Sequence, residues 1–140
     1  MPNINPINIA VYQLLTADTT LDGLCSIYKG GKRPSQAENP SVTVEAKRLE
    51  PGNGEGMWMC DIVVTAYAAN LSNGMPDHEM LENIASCIYG ILEDGEITLE
   101  NSQALPLIRG DICGPSWNTN HDEETSRECI FGLIFVNFTS

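Results

Sequence analysis

The residues best suited to metal chemistry are the acidic run His121-Asp122-Glu123-Glu124, because carboxylate oxygens in a loop can hold calcium or magnesium. The register argues against an ordinary calcium loop. If the alternating ligands begin at Asn118, Glu123 takes the position that requires glycine, and Cys129 takes the position of the closing glutamate. We therefore predict a solvated acidic loop and no bound metal.

Nucleophilic catalysis has little support in the sequence. His78 and His121 are far apart, and neither a Gly-x-Ser-x-Gly nor a His-Glu-x-x-His motif occurs. Cys113 is the one thiol in an apparent loop, and His121 is its conceivable base, but an acidic chain opposes the thiolate. The glycine-rich stretch 51–56 is followed by a strand, which indicates a hairpin tip and not a nucleotide loop. We predict no catalytic residues and no cofactor.

The charge distribution disfavours nucleic-acid binding. The net charge is −12, and no lysine or arginine lies between Arg48 and Arg109. Such a surface repels phosphates, whose binding requires clustered basic side chains. For the one compact basic patch, Lys29, Lys32 and Arg33, an acidic face on a neighbouring copy is the preferred partner over a phosphate. Without a basic groove, Trp58 is predicted to serve in core or interface packing.

The five cysteines form an odd set without a Cys-x-x-Cys pair, and three of them lie in apolar periodic segments. This pattern is typical of buried free thiols in a reducing compartment. No apolar run approaches the roughly 20 residues that cross a bilayer, and the amino terminus has no signal-peptide pattern, so we expect no membrane association.

The periodicity and punctuation of the sequence predict one domain, residues 1–140, of the α+β class with a mainly antiparallel sheet. Asn5-Pro6 begins an amino-terminal helix, and a long helix spans about 76–94. A short helical turn is predicted at 21–25. The predicted strands are 26–29, 41–49, 57–69 and 127–138, with weaker candidates at 97–99 and 105–113, and a long polar loop at 114–126.

Two of these strands, 57–69 and 127–138, are apolar on both faces. In the first, Trp58, Cys60 and Ile62 alternate with Met59 and Val63. Alternation normally leaves one polar face on an antiparallel strand that contacts water. Because the chain has few helices to cover a second face, we infer that a neighbouring subunit supplies part of the second layer.

The succession of elements resembles the tail-terminator, or tail-completion, proteins of tailed bacteriophages. The resemblance rests on Val11-Tyr12-Gln13-Leu14-Leu15-Thr16-Ala17-Asp18, Ile27-Tyr28-Lys29-Gly30, Pro40-Ser41-Val42-Thr43-Val44, Val63-Val64-Thr65-Ala66-Tyr67-Ala68, the helix from Pro76 to Glu93 and the strand from Glu128 to Phe138. It covers nearly the whole chain and depends on arrangement, since the family has no short signature.

The resemblance implies a structural virion protein and not an enzyme. Such a subunit forms a ring, usually a hexamer, that caps the tail tube, joins it to the head-closure or neck protein and lets genomic DNA pass through its channel. It would be assembled in the host cytoplasm. The expected subunit-interface residues are Lys29, Lys32, Arg33, Trp58, Tyr67, Phe131 and Phe135, and the expected channel-facing acids are Glu96 and Glu100.

Two alternatives stay open at this point. Another neck or minor virion component, such as a head-closure protein, would share the size of this chain. A small intracellular enzyme or ligand-binding domain would instead predict a monomer or dimer with a deep pocket.

Overall fold

Three helices and six strands make up the part of the chain that the computed structural model describes, which is residues 4–34, 38–51, 57–92, 96–98, 104–117 and 124–136. Side chains are described there except at 48–50, 57, 104–117 and 133–136. The helices are α1 (Asn5–Ala17), α2 (Thr19–Leu24) and α3 (His78–Leu92). The strands are β1 (Ser26–Lys29), β2 (Ser41–Pro51), β3 (Met57–Ala69), β4 (Glu96–Thr98), β5 (Ala104–Trp117) and β6 (Glu124–Val136).

Aspartate side chains cap the starts of α2 and α3, whereas α1 begins after Ile4 without a side-chain cap. Asp18 ends α1 and caps α2, because its Oδ1 accepts a hydrogen bond from the Leu21 N–H at 2.9 Å. Asp77 does the same for α3 through the Met80 N–H at 3.1 Å. The predicted amino-terminal and long helices are confirmed, as is the α+β class with its mainly antiparallel sheet.

The six strands form one sheet in the order β1-β2-β3-β6-β5-β4. The pair β1-β2 is parallel, and every other pair is antiparallel. The short connection after β2 gives the antiparallel β2-β3 pair that the sequence predicts. The two strands that are apolar on both faces, β3 and β6, are neighbours at the centre, paired along their whole length from Met57 opposite Val136 to Ala69 opposite Glu124.

The sheet departs from the sequence prediction between residues 114 and 126. That stretch was expected to be a polar loop, but β5 continues to Trp117 and β6 begins at Glu124. The β5-β6 register shifts between Ile108 and Asp111 and again between Ile112 and Pro115, so the irregular residues fall at the glycines in those gaps. Bulges of this kind let a strand tolerate glycine and proline.

One helical layer covers one face of the sheet. The core combines the stripes of α1 and α3 with one alternating set from β2, β3 and β6. Its largest fully buried side chain is Phe131, whose ring centroid lies 6.2 Å from that of Tyr89 on α3. Helix α1 contacts β1 and β2 at one edge of the sheet and also β4 at the other, so the sheet curves around the helices.

A side chain of α1 supplies a hydrogen-bond partner to the edge of β2. Past the end of β1, the backbone N–H of Ala46 donates a hydrogen bond to Oδ1 of Asn8 on α1, at 2.7 Å. A helix side chain thus satisfies a strand edge that β1 is too short to reach.

Three cysteines, Cys25, Cys60 and Cys129, are buried and free, as the sequence predicts, and Cys87 is half-buried. Among the described helices, none has both the length and the apolar character needed to cross a bilayer.

Candidate interaction surface

The face of the sheet opposite the helices carries partly exposed apolar side chains inside a charged border. Met59 is 37% exposed, and Val63 and Ile130 are half-buried. Glu45 and Asp61 are also half-buried, and Glu128 is exposed. We call these six residues the open face. None of the described helices lies over it.

The register places these residues side by side. Val63 is opposite Glu45 on β2 and Ile130 on β6. Across the three strands, an acidic side chain is therefore followed by two adjoining apolar ones. The next pair on the same face, towards the carboxyl end of β3, is Thr65 with Glu128. An apolar centre with a polar border is the usual anatomy of a protein–protein interface.

One end of this face is closed by the chain between β1 and β2. Arg33 extends over the ring of Tyr67, with its Cζ 3.7 Å from the ring centroid, and forms a two-pronged ion pair with Glu124. Nη1 of Arg33 also donates to Oγ of Ser41 at 3.2 Å, and Nδ2 of Asn39 donates to Oε2 of Glu124 at 2.9 Å. We call these five residues the Arg33 cluster. It fastens the β1-β2 connection to the start of β6.

The ion pair is well shielded, with the Arg33 and Glu124 side chains 14% and 6% exposed. The hydrogen bonds that Arg33 donates to the Glu124 carboxylate raise the pKa of Arg33 above its ordinary value. Arg33 and Tyr67, both predicted at a subunit interface, thus have partners within their own chain. The sequence does not reveal this cluster, since Arg33 and Glu124 are 91 residues apart.

The other two residues of the predicted basic patch are exposed. Lys29 lies at the end of β1 with its Nζ 5.7 Å from the ring centroid of Tyr12 on α1, and Lys32 follows the Gly30-Gly31 turn. Gly31 has φ 75°, and a Cβ there would overlap the carboxylate of Glu45. The positive φ of that turn therefore favours glycine, and Lys32 follows it in an exposed position.

The remaining predicted site residues have different positions. Phe131 is fully buried under α3, so the chain itself covers this side chain and does not offer it to a neighbour. Trp58 is half-buried on the same face and packs against the core. The side chain of Phe135 and all of Glu100 lie outside the described residues, and Glu96 is exposed on β4.

An open groove of about 520 Å³ lies between the end of α1, the start of α2 and α3, lined in part by Cys87. Its form is that of a surface depression and not of a deep ligand pocket. Burial raises the pKa of Cys25 and of Cys60 to about 11, which suppresses thiolate formation at neutral pH. In the described part of the chain, no three potential metal ligands cluster, and the acidic run 121–123 lies outside it.

The fold is similar to known structures. A chain from the virion of a native gene transfer agent particle aligns with a TM-score of 0.69 and 14% identity, over 91% of this chain and 92% of that one. A second solved structure, whose name gives no function, aligns with a TM-score of 0.60 and 11% identity, over 99% of this chain and 98% of its own. No protein-family model and no curated protein matches the sequence. At these identities the similarity establishes a shared fold.

Proposed function

We propose that this chain is a structural virion protein of a phage-like particle, a tail terminator whose ring caps the tail tube and joins it to the neck. The fold of a gene transfer agent virion chain, shared over nine-tenths of both chains, supports a role in such a particle. The order of elements along the chain supports the tail-terminator assignment, and residues 1–140 then act as one domain without a cofactor.

The observation that carries the proposal is the open face. A protein that acted alone would gain by covering Met59, Val63 and Ile130 or replacing them with polar residues, since exposed apolar patches promote association. A subunit of a closed assembly keeps such a face because a neighbour buries it. A ring of copies, six in the usual form of such proteins, satisfies this requirement.

The charge supports a channel through which DNA passes. Glu96 is exposed on the edge strand β4, and Glu100 follows it closely in sequence. Carboxylates on a channel wall repel phosphates and so keep a moving genome from sticking. In this proposal the ring meets tail-tube protein on one side and the head-closure or neck protein on the other.

The experiment is to isolate tail tubes and DNA-filled heads separately from a particle preparation that contains this protein and to determine which fraction carries it. Electron microscopy of the tail fraction, with the chain labelled at its amino terminus, should show a ring at one end of each tube. Retention on filled heads alone would instead identify a head-closure protein. A chain that stays a monomer and binds neither fraction would overturn the proposal.

A further inference from the structure

We propose that neighbouring copies join head to tail, with Lys32 and Lys29 of one copy seated on the acidic border of the open face of the next. This inference rests on the proposed ring and specifies the contact that builds it. We call Tyr12, Lys29 and Lys32 the cationic corner.

The charge balance of the molecule singles out this corner. Two copies with a net charge of −12 repel each other, so association requires cations at the contact. Three of the described basic side chains have carboxylate partners in their own chain: Arg33 with Glu124, Arg127 with Glu82, and Lys47 with Glu45 at 3.5 Å. Among the described side chains, Lys29 and Lys32 are the basic ones without such a partner, and both are exposed.

The open face offers the matching charge. Glu128 is exposed on β6, next to Ile130 on the same face, where the apolar part of the open face ends. A lysine from another copy can reach Glu128 while the apolar side chains beside it are covered. The corner also supplies apolar surface for that purpose, because Tyr12 is half-buried beneath the ammonium group of Lys29. Tyrosine is enriched in interfaces for this combination of apolar ring and polar tip.

The two surfaces are different parts of one chain. A contact between unlike surfaces leaves a free open face on one copy and a free corner on the other, so copies add in a single direction and close when the rotation permits. A ring is therefore the expected product, and a two-fold dimer is not required.

A charge exchange tests this contact. The variants Lys32→Glu and Glu128→Lys should each weaken self-association by about tenfold or more, because each sets like charges opposite one another. The double variant Lys32→Glu/Glu128→Lys restores attraction and should recover the mass of the native assembly, measured by sedimentation at one ionic strength. Lys32 and Glu128 are exposed, and thermal unfolding of each variant checks that the chain still folds.

The matched control is Lys32→Glu/Glu79→Lys. Glu79 is exposed on α3 within the helical layer, so this variant has the same net charge as the native chain but no restored pair. It should stay dissociated. If both double variants recover the native assembly mass, or if both single variants keep it, the head-to-tail contact is overturned. The tail-terminator proposal would stay intact in either case. Native protein that is monomeric with and without tail tubes would overturn both.

Discussion

Arg33 and Glu124 form a shielded ion pair between the β1-β2 connection and the first residue of β6, with the ring of Tyr67 beneath the guanidinium. Glu124→Gln leaves a charged arginine without its counterion, and we expect a loss of about 2–4 kcal/mol in the free energy of unfolding, measured with urea. Glu45→Gln is the control, since its pair with Lys47 is much more exposed, at 39% and 50%, and contributes under about 1 kcal/mol. Equal losses in the two variants would contradict the shielding described.

Asn8 is expected to stabilise the edge of β2 through its bond to the Ala46 N–H. Asn8→Ala leaves that buried donor without its partner and should lower the free energy of unfolding by about 1–3 kcal/mol. Asn8→Asp keeps an acceptor oxygen at the same place and should recover most of the loss. If Asn8→Ala unfolds at the same urea concentration as the native chain, the hydrogen bond does not contribute to stability.

Substitutions at two neighbouring residues of β3 should distinguish a contribution to folding from a contribution to assembly. Ile62 is fully buried under the helices, and Ile62→Thr should cost about 2–4 kcal/mol of stability. Val63 lies on the open face, so Val63→Thr should change stability by less than about 1 kcal/mol. Its effect should instead be a smaller assembled mass at equal protein concentration. A large loss of stability in Val63→Thr together with a small loss in Ile62→Thr would instead mean that Val63, and not Ile62, faces the helices.

The buried thiols predict a specific pH dependence. In the folded chain the pKa of Cys25 and of Cys60 is raised from 9.0 to about 11, chiefly by burial, so folding disfavours the thiolate. The stability that these thiols contribute is present below pH 9 and is lost as the pH rises through about 11. The melting temperature should fall less steeply over that window in Cys25→Ala/Cys60→Ala than in the native chain. Identical slopes would contradict the shifts.

The cysteines should react with an alkylating reagent in an order set by their exposure. With iodoacetamide at about pH 8, half-buried Cys87 should be alkylated before Cys25 and Cys60, which combine burial with a suppressed thiolate. Peptide mass mapping over time measures the order, and the same experiment in urea should abolish it.

Glu96 tests the proposed channel. Glu96→Lys places a cation where phosphates would pass and should slow genome ejection from assembled particles, followed by the release of DNA into solution. Glu79→Lys, with the same charge change on α3, is the control and should eject at the native rate. Equal rates in all three particles would count against a channel position for Glu96.

The sequence predicted those elements whose pattern is strong, and it failed where local signals conflict with the sheet. The stripe of α3 and the double-sided β3 and β6 follow directly from apolar spacing. The sequence predicts a weak strand at 105–113 and a loop from 114, because Gly114 and Pro115 suggest a break, whereas β5 continues to Trp117 with a register shift between Ile112 and Pro115. Similarly, Phe131 was placed at an interface because alternation alone does not show which face the helices cover.

The candidate surface was only partly predictable for a related reason. The sequence groups Lys29, Lys32 and Arg33 as one basic patch, but the structure leaves Lys29 and Lys32 exposed and pairs Arg33 with Glu124, which lies 91 residues away in sequence. A basic cluster in sequence therefore divides into one residue that fastens a connection and two that face solvent.

The position of β6 bears on the timing of assembly during synthesis. While a ribosome has delivered only the residues before β6, the chain holds two separate ribbons, β1-β2-β3 and β4-β5, because β6 is the strand that joins them. Ile130 and Glu128 belong to that joining strand. A nascent chain thus has no complete open face until β6 has been synthesised and has paired with β3.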